Sequence, residues 1–134
     1  DLFAGSGALG IEALSRGAIH CDFVDTDREA ITAVDHHLNT LNATECSTVS
    51  CDVAAHYLRQ INDTWDIVFV DPPFDARLGE STLTLLAESD RLAKASRVYF
   101  ETSRSQPEPV PEGLYNVLRE KTTGDVCYRL LSPL

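Results

Sequence analysis

Asp1-Leu2-Phe3-Ala4-Gly5-Ser6-Gly7, then Ala8 to Arg16 (ALGIEALSR), Gly17, and Cys21-Asp22-Phe23-Val24-Asp25 form the stretch that decides the fold. The first seven residues read as the end of a strand entering a Gly-rich turn. Leu9, Ile11, Ala13 and Leu14 lay a broad apolar stripe on good helix formers, and Gly17 stops that helix. Cys21 to Val24 is a short apolar strand ending at Asp25. The sequence opens without Met and leaves no room for the strand that should precede the turn. A missing N-terminal piece is therefore expected, and any basic surface it carries lies outside the charge count.

The same alternation continues outward. Residues 27–41 carry Ile31, Val34, Leu38 and Leu41 at helical spacing. Residues 47–51 can form a short strand, and 53–61 a short helix. Trp65 to Val70 is a near-continuous apolar run, expected of a parallel strand buried on both faces. It stops at Asp71-Pro72-Pro73-Phe74. A helix over about 79–89 and a strand over 97–101 follow. Residues 103–112 hold three prolines and must be a loop. Residues 115–120 and 126–131 read as strands joined at Thr123-Gly124-Asp125. Strand–helix alternation predicts an α/β fold: a doubly wound, mostly parallel sheet, closed by an antiparallel C-terminal strand pair.

Composition bounds the function. The chain has 134 residues, 43% hydrophobic and 24% charged, as expected of one globular domain. No apolar run approaches the roughly 18 residues of a membrane helix, and no signal peptide is visible. Cys21, Cys46, Cys51 and Cys127 form no CxxC pair and no zinc-ligand spacing, which reads as reduced thiols in a cytoplasmic protein. The net charge is −10, all of it in residues 1–96. On charge alone this argues against a nucleic-acid binder, because phosphate neutralisation needs Lys and Arg.

Three motifs fall at strand ends, where ligands bind in such sheets. Gly5-x-Gly7-x-x-Gly10 allows close backbone approach, and Asp25, twenty residues after Gly5, can accept from ribose hydroxyls. This pair fits a dinucleotide or S-adenosylmethionine. Asp52 follows the strand at 47–51, where it can accept from an adenine amine, cap the next helix, or both. Asp71-Pro72-Pro73-Phe74 decides between the ligands. Two prolines stiffen the turn and remove two N–H donors. Their carbonyls are expected to face outward with nothing local to bond, making with Asp71 an acceptor-rich pocket for a planar amine. Phe74 can stack on a base. A dehydrogenase has no use for such a pocket. His36 and His37 lie on the second helix and read as surface or packing residues.

The runs DLFAGSGALGIEALSRG (1–17), Phe23 to Arg28 and Ile67 to Phe74 resemble the bacterial 16S ribosomal RNA guanine(966)-N2 methyltransferase family. The likeness extends to the late strand Tyr128-Arg129-Leu130. It implies a Rossmann-like class I methyltransferase domain over 1–134, lacking the family's N-terminal strand and substrate-binding extension. It also implies S-adenosyl-L-methionine as methyl donor and 16S ribosomal RNA as partner, within the small ribosomal subunit or its assembly intermediate. A monomer acting in the cytoplasm is expected. Asp1, Phe3, Ala4, Gly5 and Gly7 would hold the methionine end. Asp25, with Thr26 and Asp27, would hold the ribose and adenosine, and Asp52 and Val53 would meet the adenine. Asp71, Pro72 and Phe74 would be catalytic, with Asp71, Pro73 and Phe74 holding the guanine. Three rivals remain: a DNA adenine-N6 methyltransferase, which usually needs a larger target-recognition insertion, a dinucleotide-dependent oxidoreductase, which leaves DPPF idle, and a non-catalytic binding module.

Overall fold

The structure, a computed structural model, describes residues 1–134. Two compact units divide between Tyr57 and Leu58.

In the first unit the chain enters alongside β1 (Cys21–Asp25). Asp1 O accepts from Val24 N (2.9 Å), and Ala4 N donates to Val24 O (2.8 Å). The opening residues are thus a strand end, as the apolar Leu2-Phe3 suggested. The chain turns at Gly5 (φ 54°) and Gly7 (φ 80°) into α1 (Ala8–Ser15). Gly10 packs α1 onto β1: a Cβ there would lie 2.3 Å from the Phe23 ring and 2.8 Å from Cys21 Sγ. This close approach is what the third glycine of the pattern provides. After β1 comes α2 (Arg28–Thr40), whose N-cap Asp27 accepts from Glu29 N (2.9 Å). A single 3-10 turn, Thr44–Cys46, leads into β2 (Ser47–Cys51), which pairs parallel with β1 from Cys21↔Ser47 to Asp25↔Cys51. Phe23, Val34 and Leu38 are fully buried, with Ile11, Leu14 and Val49 packed around them. The unit boundary falls inside α3 (Ala54–Gln60).

The second unit is a mixed sheet with order β3-β4-β6-β5. β3 (Trp65–Val70) pairs parallel with β4 (Leu92–Ser103) through the crossover α4 (Gly79–Glu88). β5 (Tyr115–Thr123) and β6 (Val126–Pro133) form a hairpin around Gly124-Asp125. The last strand inserts between β4 and β5, pairing antiparallel with both. The antiparallel C-terminal pair is as expected, and the strands fall into two hydrogen-bonded sheets.

Two expectations fail in this unit. β3 is not buried on both faces: Val68 and Val70 are buried, but Ile67 is 53% exposed and Asp66 is on the surface. β3 is the edge strand of its sheet, and Gly79 at the start of α4 packs against the Phe100 ring on β4. β4 also starts five residues early, at Leu92 rather than 97. Trp65 pairs with Leu92 and Ile67 with Arg97, so β4 carries a bulge. Buried Ser96 holds it: its hydroxyl donates to Trp65 O (2.7 Å) and accepts from Ala93 N (3.0 Å).

Glu108, buried in the proline-rich loop, accepts from Glu80 N (3.1 Å) and so caps α4. Arg129 donates to the Glu108 carbonyl (2.9 Å) and lies over the Phe100 ring (5.8 Å). The three prolines fix this loop against the sheet without regular structure.

Candidate active site

The first unit assembles a carboxylate-rich site at the carboxyl ends of β1 and β2. Asp25 organises it. One oxygen accepts from Gly5 N (2.8 Å), tying the Gly-rich turn to the end of β1. The other accepts from Asp27 N (2.9 Å). Each oxygen of a carboxylate can accept more than one hydrogen bond, so capacity for a ligand hydroxyl remains. The Asp25 carbonyl accepts from Asp52 N (2.9 Å), which brings the two strand-end acids together. Asp27 and Thr26 are exposed, and the Asp27 side chain is already engaged as the α2 cap.

Asp52 does not cap α3 in the usual way. Its Oδ1 accepts from the adjoining Val53 N (2.7 Å), and both oxygens lie against His56 Nδ1 at 2.9 and 2.8 Å. The His56 contact, first, holds its carboxyl below the usual range. Val53 is 54% exposed beside it. His56 had no part in the motif reading. Its signal was the i, i+4 spacing from Asp52, which puts both side chains on one helical face.

Asp1 and the turn complete the cluster in this unit. Asp1 Oδ2 accepts from Gly10 N (3.1 Å), whereas Asp1 Oδ1 is buried without a hydrogen-bond partner. Phe3 is half-buried and Ala4 and Gly7 are buried. Gly7 is filled around: a Cβ there would meet Val34 at 3.0 Å and Ile11 at 3.3 Å. Gly5 is different, because a Cβ would meet nothing within 4 Å. The unit holds nine Asp or Glu against two Lys or Arg. An open backbone at Gly5, a buried acceptor oxygen with no donor and an acidic surround fit S-adenosylmethionine. That ligand brings an ammonium, a sulfonium and ribose hydroxyls, and no phosphate. They fit a dinucleotide less well, since its pyrophosphate would face this acidic surround.

The second unit holds the DPPF turn at the end of β3. Asp71 accepts no hydrogen bond from the protein, and its carboxyl is pushed up to about 6, first by burial and then by the Glu101 charge. Pro72 is fully buried, Pro73 exposed and Phe74 half-buried. One expectation is corrected here. The Pro73 carbonyl is not free: it accepts from Ala76 N (3.1 Å), closing a turn. That leaves Asp71 and the Pro72 carbonyl as the acceptors.

Glu101 was missed. Val70 ends β3 and pairs with Phe100 on the neighbouring parallel strand, so Glu101, two residues before the end of β4, comes next in register beside Asp71. Tyr99 donates its hydroxyl to Glu101 Oε2 (3.1 Å), and burial, first, raises the Tyr99 pKa. The strand expected over 97–101 would have ended at Glu101, the one sequence signal that pointed to it, whereas β4 runs on to Ser103. His36 and His37 are exposed on α2, as expected, with ring centroids 6.3 Å apart.

The family described as conserved hypothetical protein 95 matches residues 1–132. Ribosomal RNA small subunit methyltransferase D of Haemophilus influenzae is 39% identical over 136 residues, covering 97% of this chain and 68% of that protein. The Escherichia coli protein of the same name is 39% identical over 130 residues, covering 97% of this chain. This chain spans 65% of that relative's length. The solved structure of yhhF from Escherichia coli superposes with a TM-score of 0.91 at 38% identity, over 99% of this chain and 74% of that one. The architecture is that of class I methyltransferases, and the chain belongs to the conserved hypothetical protein 95 family, the family of the ribosomal RNA small subunit methyltransferase D proteins.

Proposed function

We propose that this protein transfers a methyl group from S-adenosylmethionine to the exocyclic N2 amine of one guanine in 16S ribosomal RNA, guanine 966 by resemblance. The relatives' names support ribosomal RNA as the substrate. The observation that carries the amine is Asp71: a half-buried carboxylate at a strand end, with no protein donor, lifted to about 6. Such a group is an acceptor in need of an N–H.

The N2 lone pair of guanine is delocalised into the ring, so the amine is a poor nucleophile. Asp71 and the Pro72 carbonyl accept its two N–H groups and turn the lone pair toward the reactive methyl. When bound, S-adenosylmethionine would supply that methyl from its sulfonium, the bonding electron pair staying with its sulfur. The new N–CH3 bond puts positive charge on nitrogen, and one N2 proton passes to Asp71. A pKa near 6 suits the carboxylate to take this proton near neutral pH. Phe74 stacks on the base and fixes its plane. Positioning is the main effect, for which alignment of bound reactants contributes on the order of 7–11 kcal/mol. In the first unit, Asp25 takes the ribose hydroxyls, Asp1 with the Phe3–Gly7 turn takes the methionine end, and Val53 offers an apolar contact to adenine beside Asp52. The acidic first unit favours the cationic donor.

Mass-spectrometric nucleoside analysis of 16S ribosomal RNA from a strain lacking the gene tests the reading. Loss of one N2-methylguanine is expected, restored by the wild-type gene. Unchanged 16S RNA, with methylation of DNA adenine instead, would move the substrate to the rival. Calorimetry against S-adenosylmethionine and NADH separates the oxidoreductase.

A further inference from the structure

Glu101 sits one step past the Val70–Phe100 pair, on the strand beside Asp71. Parallel neighbours lie about 4.8 Å apart, so the two carboxylates stand side by side. The alternation of β4 puts Val98 and Phe100 in the core and Tyr99 and Glu101 on the opposite, half-buried face. On that face Glu101 is aimed. Tyr99 donates to Oε2 (3.1 Å), and the Tyr99 ring is wedged between Phe69, edge-on at 6.1 Å, and Tyr128, stacked at 6.1 Å. Oε1 has no protein donor. A glutamate serving only solubility would not be tethered by a half-buried tyrosine next to the motif acid.

The chemistry of guanine fits two adjacent acceptors. Its N1–H and N2–H groups point the same way from one edge of the ring. Purines with an N1 lone pair, adenine among them, offer a donor and an acceptor there instead. Resting on the guanine-N2 reading above, we propose that Glu101 accepts the guanine N1–H beside the N2 amine held at Asp71. It thereby selects guanine against any purine whose N1 carries a lone pair.

2,6-Diaminopurine tests this, because it keeps the N2 amine and replaces N1–H with a lone pair. Small ribosomal subunits are reconstituted with 16S RNA carrying guanine or 2,6-diaminopurine at the methylated position. Wild-type full-length protein should favour guanine in kcat/KM by about 10- to 100-fold, the usual worth of one correct base-edge contact. Glu101→Gln keeps the side-chain shape, and its amide can donate to the N1 lone pair. The guanine preference should fall at least about tenfold, with guanine slowed and diaminopurine not. Tyr99→Phe removes the tether and should give an intermediate preference. Equal losses on both substrates in Glu101→Gln would assign the residue a structural role and overturn the proposal, as would a wild-type protein indifferent to the swap. No N2-methylguanine from wild-type protein on guanine subunits would instead sink the parent reading, and the proposal with it.

Discussion

Asp71 is an acceptor left without a donor, and two predictions follow from that residue. In full-length protein Asp71→Ala should cut kcat by about 10²–10³, the usual loss for one placed electrostatic group. S-adenosylmethionine affinity should stay nearly unchanged, as the loss falls on the chemical step. Asp71→Asn should be impaired too, since its amide can present an NH2 to the guanine amine. Single-turnover kinetics at saturating cofactor measures both, and a wild-type rate for Asp71→Ala would leave DPPF a rigid loop. The second prediction concerns pH. The active carboxylate is the ionised form, so kcat/KM should rise through an acid limb near 6. Glu101→Gln removes the like charge and should move that limb to lower pH. Linkage has the opposite sign for stability. The folded pKa is above the ordinary aspartate value, so the native state binds more protons than the unfolded chain between about 4 and 6. Asp71 therefore costs stability as pH rises through that window. The urea midpoint of Asp71→Asn should exceed wild type at pH 7, and the gain should shrink on acidification to pH 4.

At the scale of elements, the glycine turn and α1 carry different constraints at each glycine. Gly10→Ala drives a methyl into the Phe23 ring at 2.3 Å. It should destabilise the protein by about 1–3 kcal/mol in urea unfolding, as overpacking does. Gly5→Ala meets no atom but holds a left-handed backbone at φ 54°. It should cost about 1–2 kcal/mol in stability and also weaken S-adenosylmethionine binding, because the methyl enters the open space. Calorimetry beside unfolding separates the two effects: Gly10→Ala, refolded at low temperature, should bind nearly normally. A third element-scale prediction concerns α3. Asp52 is held acidic chiefly by its hydrogen bond to His56, so its contribution to stability is present above pH 3.8 and is lost as pH falls through the lower folded value. In His56→Ala the Asp52 carboxyl should titrate closer to 3.8, as read by carbon NMR. An unchanged titration would mean that the Val53 N–H alone holds it.

Across the whole molecule, the charge distribution bears on the proposed RNA substrate. Residues 97–134 are neutral, and the excess of acid lies before them. Few phosphates can be neutralised by such a surface, so affinity of residues 1–134 for naked 16S RNA should be weak, with a shallow salt slope. Filter binding from low to physiological salt measures it. A slope near that of a protein making six or more phosphate contacts would show that the few basic side chains are gathered where the count hides them.

The sequence by itself determined the strand–helix order, the three acids at or just past strand ends and the position of the DPPF turn. These features are local: hydrophobic period, glycine and proline geometry, and an acid where an apolar run stops. The strand ends at Asp25 and Val70 fall where the apolar runs end. Only the tertiary structure decided the rest, because it depends on partners remote in sequence. β6 rather than β5 joins β4, since Cys127 and Leu131 have core to fill while β5 presents Arg119, Glu120 and Lys121 at an exposed edge. The bulge in β4 needs the Ser96 hydroxyl to find Trp65, thirty-one residues away. The Pro73 carbonyl is spent on a turn that no proline rule foretells. Glu101 comes to stand beside Asp71 only through the register of β3 against β4, and that register depends on the apolar patterns of both strands meeting one core, which neither strand shows alone.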